Sequence, residues 1–182
     1  MELKLLTSDI ELEQILELQN KNHYKNISPE SGKKDGFVTV KYDFDLLQKM
    51  NNSAKQVIAV DKGKVIGYAL VLLKEFKNSV PLLTPMFETF EKTKYKDALL
   101  IDFKYYVMGQ ICISEEYRRK GIFKSLYDKH KKVYANKFDV CVTEVSSSNK
   151  RSMRAHQKVG FKTLATFKDM TDEWNIIYWD WK

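Results

Sequence analysis

Residues 110–123 constrain this chain more than any other stretch. They read Gln110-Ile111-Cys112-Ile113-Ser114-Glu115-Glu116-Tyr117-Arg118-Arg119-Lys120-Gly121-Ile122-Phe123. An apolar strand runs into a short acidic turn. Three consecutive cations, one glycine and an amphipathic helix follow. The first turn of a helix has N–H groups with no intrahelical partner, and the helix dipole adds positive charge there. Gly121 permits close backbone approach, so the pattern builds a cradle for a phosphorylated ligand. Cations at a helix start cost about 0.3–1 kcal/mol each unless an anion is present. Neither G-x-G-x-x-G nor G-x-x-x-x-G-K-[ST] occurs, which sets aside the dinucleotide and P-loop arrangements.

The periodicities around this stretch predict a mixed α/β chain. A strand at 3–6 precedes Ser8-x-x-Glu11, a capping-box pattern that opens a helix carrying Ile10, Leu12, Ile15, Leu16 and Leu18. A polar loop is expected over 20–36 and a second helix over 43–50. Strands at 57–60 and 64–72 flank Asp61-Lys62-Gly63, a hairpin signal. Residues 76–104 hold Pro81 and Pro85 and are expected to lay a short helix over a pocket. A strand at 105–113, a helix at 119–137, a strand at 139–145, a helix at 150–159 and strands at 161–167 and 174–181 complete the order. That order gives a mostly antiparallel sheet flanked by helices, with one βαβ-like section.

Two motifs within that order carry a family resemblance. Arg118-x-x-Gly121-x-Phe123 resembles the acetyl-coenzyme A motif Q/R-x-x-G-x-G/A of the GCN5-related N-acetyltransferases (GNAT), with Phe123 where the family has a small residue. Asn149, followed by a helix that ends in Gly160-Phe161, is similar to the second half of that family's cofactor-binding region. The resemblance implies the GNAT acyltransferase fold over one domain, residues 1–182. It also implies acetyl-CoA as cosubstrate and an amine of a small molecule or peptide as acceptor.

It assigns cofactor contacts to Ile111, Cys112, Ile113, Arg118, Arg119, Lys120, Gly121, Ile122, Phe123 and Asn149. Gln110 lines the acceptor pocket or reaches a backbone partner. Ser146, Ser147 and Ser148 suit a splayed strand end or an ordinary loop. The family commonly places a proton-donating tyrosine where this chain has His156, whose ordinary pKa of about 6.5 suits acid–base work. Tyr127 and Tyr134 are the substitutes. Glu144 alternates with Thr143 and Val145 on the fifth long strand. Desolvation there raises a carboxyl and fits it to accept a proton, whereas an exposed edge glutamate has no such role. Glu88 and Asp102 are further candidates.

Other classes are disfavoured by composition. Net charge is +7, but the cations are interleaved with acids and show no basic aromatic face, which argues against a nucleic-acid module. The apolar runs are too short for a bilayer helix, and residues 1–13 carry no leader pattern, so the expected compartment is the cytoplasm. Cys112 and Cys141 read as buried reduced thiols. No Cys or His spacing suggests a metal. A monomer or homodimer is expected. The alternative function is a non-catalytic acyl-CoA-binding or regulatory domain on the same fold.

Overall fold

The computed structural model describes residues 1–28, 30, 37–170 and 172–181. The part of the expected 20–36 loop at 29 and 31–36 lies outside the described residues. The sheet has seven strands: β1 (Glu2–Leu5), β2 (Val57–Asp61), β3 (Lys64–Leu72), β6 (Tyr105–Ile113), β7 (Val140–Ser146), β8 (Lys162–Lys168) and β9 (Glu173–Asp180). A two-stranded ribbon, β4 (Lys94–Tyr95) and β5 (Ala98–Leu99), stands apart. The sheet order is β1-β2-β3-β6-β7-β9-β8, and β6–β7 is a parallel pair. Among the described residues the α-helices with defined bounds are α1 (Asp9–Asn22), α2 (Phe44–Ser53), α3 (Thr84–Lys92), α4 (Ile122–Tyr134) and α5 (Lys150–Val159). The chain forms two compact units, residues 1–72 with 109–132 and residues 73–108 with 133–182.

In the first unit, Ser8 caps α1 by accepting from the Glu11 N–H. The Glu11 carboxylate reaches back one residue further than a capping box requires. It accepts from the Thr7 N–H at 3.0 Å and from Lys4 Nζ at 2.6 Å. Leu12, Ile15 and Leu18 are buried on this helix, which packs on β3. Every β3 residue after Lys64 is buried, as expected for a strand covered on both faces. Ile122, Leu126, Tyr127 and His130 form the buried stripe of α4.

In the second unit, β7 pairs with β9 in antiparallel register over seven positions, from Val140↔Asp180 to Ser146↔Trp174. The parallel register of β6 and β7 covers Tyr105↔Val140, Tyr106↔Cys141 and Val107↔Val142. At the next step the Met108 carbonyl accepts from the Thr143 side-chain hydroxyl at 3.0 Å. The helix expected within 76–104 is α3. The ribbon beside it was not expected. Gly160 ends α5 at φ +121, a left-handed C-cap whose N–H donates to the carbonyls of Gln157 and His156.

Candidate active site

The strand–turn–helix segment lies within the first unit. Strand β6 ends at Ile113, and a 3-10 turn (Glu115–Tyr117) follows. The helix begins at Ile122, three residues later than expected. The reason is local: Arg119 has φ +63 and Gly121 has φ +79, neither of which fits a right-handed helix. A left-handed arginine is uncommon, and such backbone persists where the surroundings enforce it.

The Gly121 carbonyl accepts the first intrahelical bond, from the Ser125 N–H at 3.1 Å. The N–H groups of Ile122, Phe123 and Lys124 therefore precede the helical ladder. Gly121 has no side chain with which to cap them. Arg118, Arg119 and Lys120 carry donors only. Arg119, Lys120 and Gly121 are exposed, and a Cβ built on Gly121 meets nothing within 4 Å. This donor set, acceptor-poor and open, fits the diphosphate of acetyl-CoA.

The three cations are not equivalent. Arg118 turns inward: its Nε donates to the Ile113 carbonyl at 3.2 Å and an Nη to Asn22 Oδ1 at 2.6 Å. It thereby ties the end of β6 to the last turn of α1. Lys120 Nζ lies 5.0 Å from the Tyr117 ring centroid, and the Tyr117 hydroxyl donates to Asp61 at 2.9 Å. Phe123, the departure from the family pattern, lays its ring 5.2 Å from that of Tyr127 one turn along the helix.

Of the strand residues, Ile111 and Ile113 are half-buried and Cys112 is buried. Burial pushes the Cys112 thiol up to about 12, and Cys141 likewise. Neither forms a thiolate at neutral pH. Gln110 takes the second of its two expected roles. Its Oε1 accepts from the Tyr68 hydroxyl at 2.5 Å, and its Nε2 donates to the Val40 carbonyl at 2.9 Å.

The remaining candidates lie in the second unit. Asn149 caps α5 by accepting from the Ser152 N–H at 3.0 Å. His156 is 3% exposed, and its Nδ1 lies 2.8 Å from the Ser152 carbonyl. A carbonyl only accepts, so Nδ1 carries the proton. Burial pushes the ring down to about 4, so the imidazole is neutral at pH 7. Its ring stands edge-on to Phe161 at 5.1 Å, and Phe161 packs on Trp179. Of the substitute tyrosines, Tyr127 and Tyr134 are buried, and burial raises Tyr134 above its ordinary value.

Glu144 behaves differently. It is half-buried, and desolvation, with a smaller push from Asp169, raises its carboxyl to about 7. Glu144 pairs with Ile176, whereas Trp179 pairs with Cys141. Alternation puts Glu144 on one sheet face and the Trp179 side on the other. The two acid–base candidates thus approach opposite faces of β7. Ser146 and Ser148 are held by the Asp172 carboxylate, and Ser147 accepts from Asn175 Nδ2 at 2.7 Å. These serines form a bonded loop. Sequence reasoning missed Asn22 and Tyr68, whose partners lie 96 and 42 residues away.

Residues 12–161 match the acetyltransferase (GNAT) family, which is most of the chain. The chain belongs to the GNAT acetyltransferase family. Solved structures similar to this GNAT protein agree in fold over nearly its whole length. The protein smu.2055 from Streptococcus mutans UA159 has TM-score 0.67 and is 18% identical over 100% of both chains. The ribosomal-protein-alanine N-acetyltransferase from Brucella melitensis has TM-score 0.66 at 13% identity, covering 99% of each chain. The protein yncA from Salmonella typhimurium, solved with its cofactor acetyl-CoA, has TM-score 0.65 at 12% identity, covering 100% of this chain and 94% of its own. No curated protein sequence matches the chain. Among the described residues of this GNAT protein, no helix is long and apolar enough to cross a membrane.

Proposed function

We propose that this chain passes an acetyl group from acetyl-CoA directly to a primary amine of a small molecule or peptide, residues 1–182 acting as one catalytic domain. The observation that carries the reading is the open helix start at Gly121. The first-turn N–H groups that precede the helical ladder, two exposed cations and a glycine with free space over its α-carbon meet there.

Acetyl-CoA supplies an acyl group already activated as a thioester. The amides of Ile122 and Phe123 hold its diphosphate beside Gly121, and Arg119 and Lys120 add attraction. Arg118 fixes the strand end against which the main chain of Ile111, Cys112 and Ile113 lines the pantetheine arm. Asn149 serves as helix cap and as a contact to that arm. Glu144 accepts the amine proton, since a carboxyl poised near 7 both ionises and takes up a proton at working pH. His156 is proposed as the proton donor to the leaving thiolate; on the face of β7 opposite Glu144, and with its Nδ1–H held by the Ser152 carbonyl, it donates only as the minor imidazolium and through a bridging water. With its ring near 4, only about one imidazole in a thousand is charged at pH 7. Neither cysteine ionises, which supports direct attack over an acyl-enzyme. The reading calls on no metal, nucleic acid or membrane, and on a monomer or homodimer in the cytoplasm.

The neutral, buried state of His156 is the one observation that favours the alternative, a non-catalytic acyl-CoA-binding domain. A panel of small amines and peptides, assayed for free thiol release from acetyl-CoA, separates the two. Thiol release that requires an amine supports transfer. Tight acetyl-CoA binding with no release across the panel supports the alternative.

A further inference from the structure

A surface cavity of about 280 Å³ in the second unit is lined by Ser147, Lys150, Met153, Arg154 and Asn175. None of these five belongs to the proposed catalytic set. Lys150 and Arg154 stand four residues apart on α5 and so share one helical face. Neither side chain has an ion-pair or hydrogen-bond partner among the described residues. Like charges at this spacing destabilise a helix by about 0.2–0.5 kcal/mol. The first turn of α5 contains no acid to offset them. The pair thus leaves two exposed positive charges on one helical face with no carboxylate partner among the described residues.

On the polar wall, Asn175 is committed within the protein: its Oδ1 accepts from the Thr166 hydroxyl at 3.2 Å, and its Nδ2 donates to Ser147 Oγ at 2.7 Å. Ser147 Oγ is thus held as an acceptor toward Asn175, which leaves its own proton to be donated elsewhere. The cavity offers an ammonium, a guanidinium and one hydroxyl donor, and Met153 supplies an apolar side. The volume suits a head group of a few heavy atoms more than a whole drug-sized molecule.

We propose that this cavity is an oxyanion-binding subsite, separate from the acetyl-CoA site, for a small ligand bearing a phosphate or carboxylate group. Guanidinium and ammonium donors with a hydroxyl recognise either group through charge-assisted hydrogen bonds. The assignment does not depend on the proposed acetyl transfer.

The test is an amide NMR titration of the full chain with inorganic phosphate and, separately, with acetate, each with and without saturating coenzyme A. The expected result is saturable shifts at Ser147, Lys150 and Arg154 that persist when coenzyme A is bound. The double variant Lys150→Gln/Arg154→Gln should weaken the binding at least about tenfold. Its thermal midpoint should match or exceed that of the wild type, because a like-charge pair is removed. Ser147→Ala, which keeps both cations, should weaken it a few-fold and provides the check if the double variant does not fold. Tighter binding of phosphate assigns a phosphate ligand, and tighter binding of acetate a carboxylate; both support the subsite. Absence of saturable shifts with either anion overturns it, as does binding undiminished in the variants. Shifts abolished by coenzyme A would also overturn it, since the cavity would then belong to the cofactor.

Discussion

An Arg118 guanidinium nitrogen lies 2.6 Å from Asn22 Oδ1, and the same side chain donates to the Ile113 carbonyl. Asn22 is itself fixed, since its Nδ2 donates to the Leu18 carbonyl at 2.9 Å. One arginine of the family motif is thus a strut between the end of β6 and the end of α1, and its neighbours face solvent.

That division of labour separates Arg118 from Arg119. Arg118→Ala leaves the buried Asn22 oxygen without its charged partner and should cost about 1–3 kcal/mol of stability. Arg119→Ala and Lys120→Ala should leave stability nearly unchanged. They should weaken coenzyme A binding and flatten its salt dependence, since exposed cations act through screened attraction. Urea melts and binding titrations at two salt concentrations check both halves.

At Gly121, size and charge can be separated. Gly121→Ala meets no atom within 4 Å, so it should cost only the left-handed backbone penalty, about 1–2 kcal/mol, and keep coenzyme A binding within a few-fold. Gly121→Asp sets a carboxylate against the phosphates and should abolish binding. Equal binding by the two variants would place the diphosphate elsewhere.

The element order could be read from the chain because long apolar periods dominate it. Strands β3 and β6 and helix α5 fall where their patterns put them, and Gly160 caps α5 as a terminal glycine should. The boundaries of α4 did not follow, because hydrophobic periodicity is blind to backbone sign. Nothing in Arg118-Arg119-Lys120 announces that Arg119 adopts φ +63. The β4–β5 ribbon has two residues per strand, too few to show alternation. In the site, the Gly121 turn was visible as a local motif. The inward bond of Arg118 and the Tyr68–Gln110–Val40 chain join distant segments, and no spacing rule records them. Whether position 156 is charged depends on burial, which the helix pattern left open.

Glu144 sets a testable pH limb. A base raised to about 7 should give a rate that climbs with pH through that value. Glu144→Gln should lower kcat by about 10²–10⁴-fold and remove the limb. A limb that survives the substitution would transfer the role to another group.

Two buried histidines predict acid lability. Burial pushes His130 and His156 from about 6.5 down to about 4. The unfolded chain then binds protons that the folded chain refuses, so their contribution is present above pH 6.5 and is lost as pH falls toward 4. Each amounts to on the order of 3 kcal/mol at most. Glu144 has the opposite sign. Its carboxyl is raised, so the folded chain holds a proton that the unfolded chain releases between about 4.5 and 7. Two histidines against one glutamate leave a net uptake of about one proton on unfolding near pH 5.5. Urea melts at several pH values should show stability falling with acid over this range. Stability that holds constant or rises toward pH 5 would contradict the neutral assignment.

His156→Ala distinguishes proton donation from packing. A donor role predicts a larger loss in kcat than in coenzyme A affinity, and His156→Gln should recover stability without recovering turnover; equal kcat in folded His156→Ala would make the ring a packing residue beside Phe161.

The most direct measurement is a crystal structure of the chain with coenzyme A. The account predicts the diphosphate within hydrogen-bonding distance of the Ile122 and Phe123 amides, beside Gly121, with Arg118 still bonded to Asn22. A diphosphate bound at any other place, or a helix start closed over by the protein's own side chains, would contradict it.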